Sequence, residues 1–269
     1  MQIDQIIQSL ATSKNNEVVI PDNWAQGRTV YGGLTAALIY HRMQQRVALD
    51  KPDESRPIRY INLSFIAPLM VKQSMSVEVE LLRTGRSASQ LIAFVKQDGR
   101  TCVIAQACFG VDRESKINIT GQYKLDMQLP KKANFIPQIP KVVPRFLRHV
   151  EINLQQGRLP FMQGKKDYLH GWMRFKKQPT QFNDAHLIAL IDAWPSTVLQ
   201  QLKLPAPAST MNWNLEFPQT APQIEPNQWL AYQATTAHAS DGYVYGDAHI
   251  WNEAGDLLAL SRQTVGVFT

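Results

Sequence analysis

The stretch Ala37-Leu38-Ile39-Tyr40 returns as Ala189-Leu190-Ile191-Asp192, and Asn62-Leu63-Ser64-Phe65 returns as Asn214-Leu215-Glu216-Phe217, both 152 positions later (192 − 40 = 152). Further on, the Gly99 turn and the pair Gly110-Val111 return at Gly255 and Gly266-Val267, now 156 positions apart (255 − 99 = 156). Several matches in one order with one small drift describe a duplicated domain, because a solenoid unit would have a far shorter period. The copies differ where chemistry could sit. Tyr40 of the first stands where Asp192 stands in the second, so whatever that carboxylate does is done once per chain.

Around these anchors each copy repeats one layout. In the first, a polar lead-in from Ile20 to Arg28 precedes Tyr31-Gly32-Gly33 and an apolar-periodic helix over 34–47. Strands are predicted over 59–65, 74–84, 88–97 and 101–111, with turns at Gly85 and Asp98-Gly99. Met75, Val77, Val79 and Leu81 alternate with Ser76, Glu78 and Glu80, as in a half-buried antiparallel strand. In the second copy Asn183-Asp184 reads as the N-cap of a helix over 185–194, and strands follow over 209–217, 229–239, 242–251 and 256–268. Asp112 to Val150, punctuated by Pro130, Pro137, Pro140 and Pro144, reads as a connector wrapping the surface. The expected organisation is an N-terminal unit over 1–115, a linker over 116–150 and a C-terminal unit over 151–269. A helix followed by a run of antiparallel strands is an α+β unit with the helix lying on the sheet.

Composition narrows the class. A chain of 269 residues, 44% hydrophobic and 19% charged, is a folded protein of two ordinary domains. No apolar run is long enough to span a bilayer. Met1 to Ile20 carries Asp4 and Glu17 and lacks the features of a signal peptide. Cys102 and Cys108 fall six residues apart in one predicted strand, roughly 20 Å, too far to bridge without a bend. A reduced, cytoplasmic protein is expected. The net charge of +6 implies an anionic partner, yet the basic residues come as pairs, Lys131-Lys132, Lys165-Lys166 and Lys176-Lys177. Such pairs read mostly as solvated surface, and a nucleic acid is not the expected partner, since its binders concentrate charge and interleave aromatics. Gly-x-Ser-x-Gly is absent, no glycine loop suits a nucleotide phosphate, and His41, His149, His170, His186, His238 and His249 show no metal-ligand spacing. No metal and no cofactor are expected.

Val30-Tyr31-Gly32-Gly33, Leu82-Arg83-Thr84-Gly85-Arg86-Ser87, Leu190-Ile191-Asp192, Ser209-Thr210-Met211 and Ser261-Arg262-Gln263 occur in an order that resembles the double hot-dog acyl-CoA thioesterases, similar to bacterial acyl-CoA thioesterase II. The resemblance covers most of the chain outside the linker. It implies a tandem hot-dog fold, two helices cupped by a long antiparallel sheet, and hydrolysis of acyl-CoA to fatty acid and CoA within fatty acid metabolism. It also implies a homo-oligomer, a dimer of double hot-dogs. In that family an aspartate, a threonine and a glutamine hold the hydrolytic water, and the matching positions are Asp192, Thr210 and Gln263. Copy one has Tyr40, Ile58 and Ala107 there and reads as scaffold. One departure is Asn212, where such an enzyme carries an aspartate.

These residue types suit the reaction. A thiolate with a pKa near 8.5 leaves without much acid help, so the demand is a positioned water, a base and an oxyanion donor. Asp192 can serve as general base, Thr210 and Gln263 can hydrogen-bond the water, and the amides of Gly32 and Gly33 at a helix start are candidate oxyanion donors. Arg83 and Arg86, beside the Gly85 turn, are the candidate CoA-phosphate ligands. Each has a plainer reading as solvated aspartate, ordinary strand residue, tight turn or surface arginine. A non-catalytic acyl-CoA-binding protein and a thioesterase for acyl carrier protein thioesters are the alternative functions.

Overall fold

The computed structural model describes residues 1–119, 123–134, 143–218 and 223–268. Its helices are α1 (Ile3–Ala11), α2 (Gly32–Asp50) and α3 (Asp184–Ile191). Copy one supplies β1 (Glu17–Val19), a small hairpin of β2 (Ala25–Gln26) and β3 (Thr29–Val30), then β4 (Ile58–Phe65), β5 (Ser74–Thr84), β6 (Ala88–Gln97) and β7 (Arg100–Gly110). Copy two supplies β8 (Val150–Gln156), β9 (Tyr168–Phe175), β10 (Ala208–Glu216), β11 (Leu230–Ser240), β12 (Tyr243–Trp251) and β13 (Leu257–Val267). Eleven of these strands form one antiparallel sheet in the order β1-β5-β6-β7-β4-β10-β13-β12-β11-β9-β8. This is the expected double hot-dog.

The seam between the copies is the repeat pairing with itself. Asn62 of β4 lies opposite Asn214 of β10, its own counterpart, so a local two-fold passes through that pair. The order then mirrors outward: β7 matches β13, β6 matches β12 and β5 matches β11. Even a bulge is duplicated. The pairing of β4 with β7 slips between Ile58 and Tyr60, and that of β10 with β13 slips between Thr210 and Asn212. The extra residues, Arg59 and Met211, are 152 apart (211 − 59 = 152). The β6–β7 and β11–β12 hairpins turn on Asp-Gly with positive φ at both residues, Asp98-Gly99 and Asp241-Gly242, the backbone that a tight two-residue turn needs.

The helices lie together on one face of this sheet. In α2 every residue from Gly33 to Tyr40 is buried, followed by Met43 and Val47; in α3 all of Ala185 to Ile191 are. Such all-round burial needs covering on every side. The sheet covers one side and the other helix the next, and one continuous apolar core runs through both halves. Asn183 starts α3 by accepting hydrogen bonds from the Ala185 and His186 amides at 3.0 and 3.4 Å, the expected N-cap.

Four elements depart from the predicted layout. Helix α1 lies in a stretch for which the sequence predicts no element, and it buries Ile3, Ile6 and Leu10. Strand β1 and the pair β8–β9 extend the sheet beyond the predicted strands. The connector is less polar than its prolines imply. Tyr123 lies 3.9 Å from the ring of His249, and Leu125 and Met127 pack on Trp172, Trp229 and Trp251, so alternate residues strap the outer face of copy two. Pro137 and Pro140 lie outside the described residues. Cys102 and Cys108 are free and buried. Among the described residues no helix is long and apolar enough to cross a membrane.

Candidate active site

The two helices run antiparallel, so the end of α3 meets the start of α2 and the middle of α2, at Tyr40, meets the start of α3. Asp192, the residue that closes α3, faces the first turn of α2. The Gly33 amide donates to its carboxylate, and Gln263 Nε2 donates to Asp192 Oδ1 at 2.9 Å. The glycines are what let the carboxylate in. A Cβ on Gly32 would stand 2.9 Å from Asp192 Oδ2, and one on Gly33 would stand 2.6 Å from the Tyr31 ring and 2.7 Å from the Ala189 carbonyl oxygen. Tyr31 itself donates its hydroxyl to that carbonyl at 2.5 Å and stacks on Phe146 at 3.9 Å.

Burial pushes the Asp192 carboxyl up to about 7, against the lowering effect of the bonds from Gln263 and Gly33. The negative end of its own helix adds to the rise, because Asp192 closes α3. The structure adds an opposing dipole, since the positive start of α2 points at the same carboxylate. Desolvation therefore outweighs both hydrogen bonds. The phenols of Tyr31 and Tyr232 are also raised, first by burial and then by the charge on Asp192.

Thr210 and Gln263 reach one face through the bulge at Met211. Thr210 pairs with Val265 and Trp213 with Gln263, so three residues of β10 span two of β13. The slip turns Thr210 and Trp213 to the same side, the side that Gln263 and Val265 use. In copy one the same bulge places Ile58 beside Ile61, both buried in the core. Asp192 and Gln263 are thus brought together, and Thr210 lies on the same sheet face as Gln263, on the neighbouring strand.

Two expectations need correction. The Gly33 amide donates to Asp192, so this amide orients the carboxylate and does not stand free for an oxyanion. Arg83 and Arg86 are not at this site. They flank a turn where Thr84 Oγ1 donates to Asp50 at 2.7 Å, and Asp50 is the last residue of the 19-residue α2. At 1.5 Å per residue that is roughly 27 Å along the helix from Gly32. Buried Arg56 pins the turn through the carbonyls of Gly85 and Arg86, at 3.0 and 3.2 Å, so the motif is turn architecture. Sequence reading also missed Tyr31, Tyr232 and a narrow cavity of about 30 Å³ that opens beside Gln263 between Trp194, Thr197, Tyr232, Ala234 and Gly246. A buried tyrosine directly before the glycine pair was the one available signal. The helix start that receives Asp192 belongs to copy one, so copy one is more than scaffold.

The fold is a double hot-dog with the Asp192 carboxylate at one corner of its helix crossing. Residues 20–110 match the acyl-CoA thioesterase N-terminal domain and 127–267 match the acyl-CoA thioesterase C-terminal domain. The chain belongs to the acyl-CoA thioesterase family and is a thioester hydrolase. No curated protein matches it. Among solved structures it is similar to a hot-dog protein of unknown function from Alicyclobacillus acidocaldarius, with TM-score 0.79, 24% identity, and coverage of 94% of this chain and 92% of that one. The tesB protein of Mycobacterium avium subsp. paratuberculosis gives 0.73 and 14%, covering 100% of both chains. Acyl-CoA thioesterase II TesB2 of Mycobacterium marinum gives 0.68 and 16%, covering 94% and 93%.

Proposed function

We propose that the chain hydrolyses acyl-CoA by direct attack of a water that Asp192, Thr210 and Gln263 hold. Asp192 takes the proton as the water oxygen attacks the thioester carbonyl. The carbon–sulfur bond then breaks, and CoA leaves as a thiolate that its low basicity makes competent. Gln263 gives its amide N–H to Asp192, which leaves its carbonyl oxygen to accept from the water, while Thr210 can both donate and accept. The observation that carries this reading is the Asp192 carboxyl: burial sets it near 7, where a general base is most useful, and two donors fix its direction.

The units 1–115 and 151–269 act together in this reading, with 116–150 as their connection, because each contributes one side of the crossing. Buried thiols at Cys102 and Cys108 suit a reducing cytoplasm. Exposed Met211, Tyr243, Tyr245 and Phe268 suit a homo-oligomer, which light scattering would measure. Turnover of a series of acyl-CoA chain lengths by the wild type and by Asp192→Asn tests the proposal. A wild type inactive on the whole series, yet binding CoA, would support a non-catalytic acyl-CoA-binding protein instead.

A further inference from the structure

A carboxylate at a helix end is aimed only as well as that end is held, and we infer that the Tyr31 hydroxyl is the positioning group that holds the end of α3 for Asp192. This inference rests on the reading of Asp192 above. Helix α3 has eight residues, Asp184–Ile191, and Asp192 is its C-cap. The last carbonyls of a helix have no amide of a following turn to accept from. The Ala193 amide, the one in place to serve the Ala189 carbonyl, donates instead to Leu190 at 2.9 Å. Ala189 is 1% exposed, and a buried carbonyl left unpaired is costly. Its donor comes from copy one: the Tyr31 hydroxyl meets it at 2.5 Å. Ala189 precedes Asp192 by three residues, so the two are neighbours on the helix surface. What fixes the one fixes the turn that carries the other.

Tyr31 is itself fixed before it reaches across. It is fully buried and stands at the N-cap of α2, where its amide donates to the Trp24 carbonyl at 3.0 Å. Its ring stacks on Phe146 at 3.9 Å and on Trp24 at 6.4 Å, and Trp24 stacks in turn on His149 at 4.1 Å. Gly33 keeps the passage open, because a Cβ there would meet the Tyr31 hydroxyl at 2.6 Å and the Ala189 carbonyl oxygen at 2.7 Å. Burial, and then the charge on Asp192, raise the phenol, so it remains a donor at neutral pH.

The repeat shows what is particular about this bond. The counterpart of Tyr31 in copy two is Asn183 (183 − 31 = 152), also an N-cap. Asn183 turns its side chain onto its own helix, accepting from the Ala185 and His186 amides. Tyr31 gives its side chain to the other helix, the one that ends in Asp192. A group in this place sets the direction of the carboxylate and meets no substrate. Its loss should therefore appear in turnover and not in substrate affinity, since a misplacement of about 1 Å can cost a hundredfold in rate.

The test is Tyr31→Phe in the full chain, with Tyr40→Phe, which deletes the buried hydroxyl of the other corner, as control. Both variants should melt lower than wild type. Tyr31→Phe should also lower kcat by about tenfold or more with KM unchanged, while the control keeps both. A chain with 4-aminophenylalanine at position 31, which retains a donor at the para position, should recover most of kcat. A spectroscopic reading stands apart from turnover. The Gly33 amide proton, which donates to Asp192, should shift in Tyr31→Phe toward its place in Asp192→Ala, followed in protein labelled with ¹⁵N-glycine. A lower Tm with unchanged kcat, a change in KM alone, equal kcat losses in both phenylalanine variants, or no recovery with the para-amine each overturns the inference. Should Tyr31→Phe not fold, the para-amine variant decides by itself: kcat near wild type supports the inference, and a clear loss overturns it. If Asp192→Asn keeps full turnover, the catalytic reading fails on its own, and the Gly33 amide then decides. An unmoved signal in Tyr31→Phe overturns the positioning role.

Discussion

At one corner of the helix crossing a carboxylate from α3 enters the start of α2; at the other, a phenol from α2 meets the start of α3. The corners are related by the repeat: Asp192 corresponds to Tyr40, and Gly32 to Asp184 (184 − 32 = 152). The Tyr40 hydroxyl donates to Asp184 Oδ2 at 2.9 Å, and next to it His186 Nε2 bonds Asp4 of α1 at 2.8 Å. One corner keeps an aspartate facing glycines, with a narrow cavity beside its partner Gln263. The other fills the same space with an aromatic ring and a helix that plugs it. Duplication lets the two corners differ, because the fold needs a packed crossing twice and the chemistry needs an open one once.

The sharpest break of this comparison is Asp192→Asn. It removes the base and should lower kcat by about 10²–10⁴-fold. In the wild type, activity should fall on the acid side with a midpoint near 7, where the Asp192 carboxyl sits. Stability should move the other way. The folded state holds this proton up to about pH 7, while an unfolded aspartate releases it near pH 4. Stability is therefore lost as pH rises between those values, and the charged side chain strains the fold above them. Asp192→Asn should melt no lower than wild type at pH 8, and lose its advantage at pH 5. An aspartate with a merely structural role would give a variant that melts lower at pH 8.

Gly32→Ala probes the same corner from the opposite helix. Its Cβ would press on Asp192 Oδ2 at 2.9 Å and touch the Phe65 ring at 3.6 Å. The flexible carboxylate gives way before the backbone does. Turnover should drop about a hundredfold, as misplacements near 1 Å do, with Tm hardly changed, since alanine is the better helix former. Gln263→Ala and Thr210→Val should each cost about tenfold, the worth of one hydrogen bond, and lower kcat more than they raise KM. A loss seen only in KM would place either residue on the acyl chain and not on the water.

How much of this was legible in the sequence follows from which signals are local. The strands β4 to β7 and β10 to β13 were readable because period-2 alternation and Asp-Gly turns are encoded within a few residues. The three family-matched positions were readable through order along the chain. What Gly32 and Gly33 do was not, because it depends on Asp192, 160 positions away (192 − 32 = 160). Arg83 and Arg86 were misplaced for the same reason: a turn rich in arginine has the same sequence whether it faces the cleft or the far end of α2. Helix α1 and the pair β8–β9 were missed because each is a single amphipathic segment without a recognisable partner. Yet β9 carries the repeat too. It pairs with β11 as β1 pairs with β5, so the repeat shows there in topology and not in sequence.

The smallest expected effect tests the quiet corner. Tyr40→Phe removes one hydroxyl from a buried ring and leaves the ring itself packed near Phe109 at 6.0 Å. Activity should stay within about twofold of wild type, because Tyr40 touches Asp184 and neither lies at the Asp192 corner. Stability should fall by about 1.5–3 kcal/mol, the range for a hydrogen bond to a charged acceptor. The pH dependence carries the argument. Burial raises the Asp184 carboxyl and the bond from Tyr40 lowers it, so the phenol favours the ionised form. Its contribution is present while Asp184 is charged and is lost as pH falls through the raised Asp184 pKa. The gap in Tm between wild type and Tyr40→Phe should thus be widest at neutral pH and close on acidification. Inactivity in Tyr40→Phe would mean that both corners take part in the reaction, and the single-site reading would have to be given up.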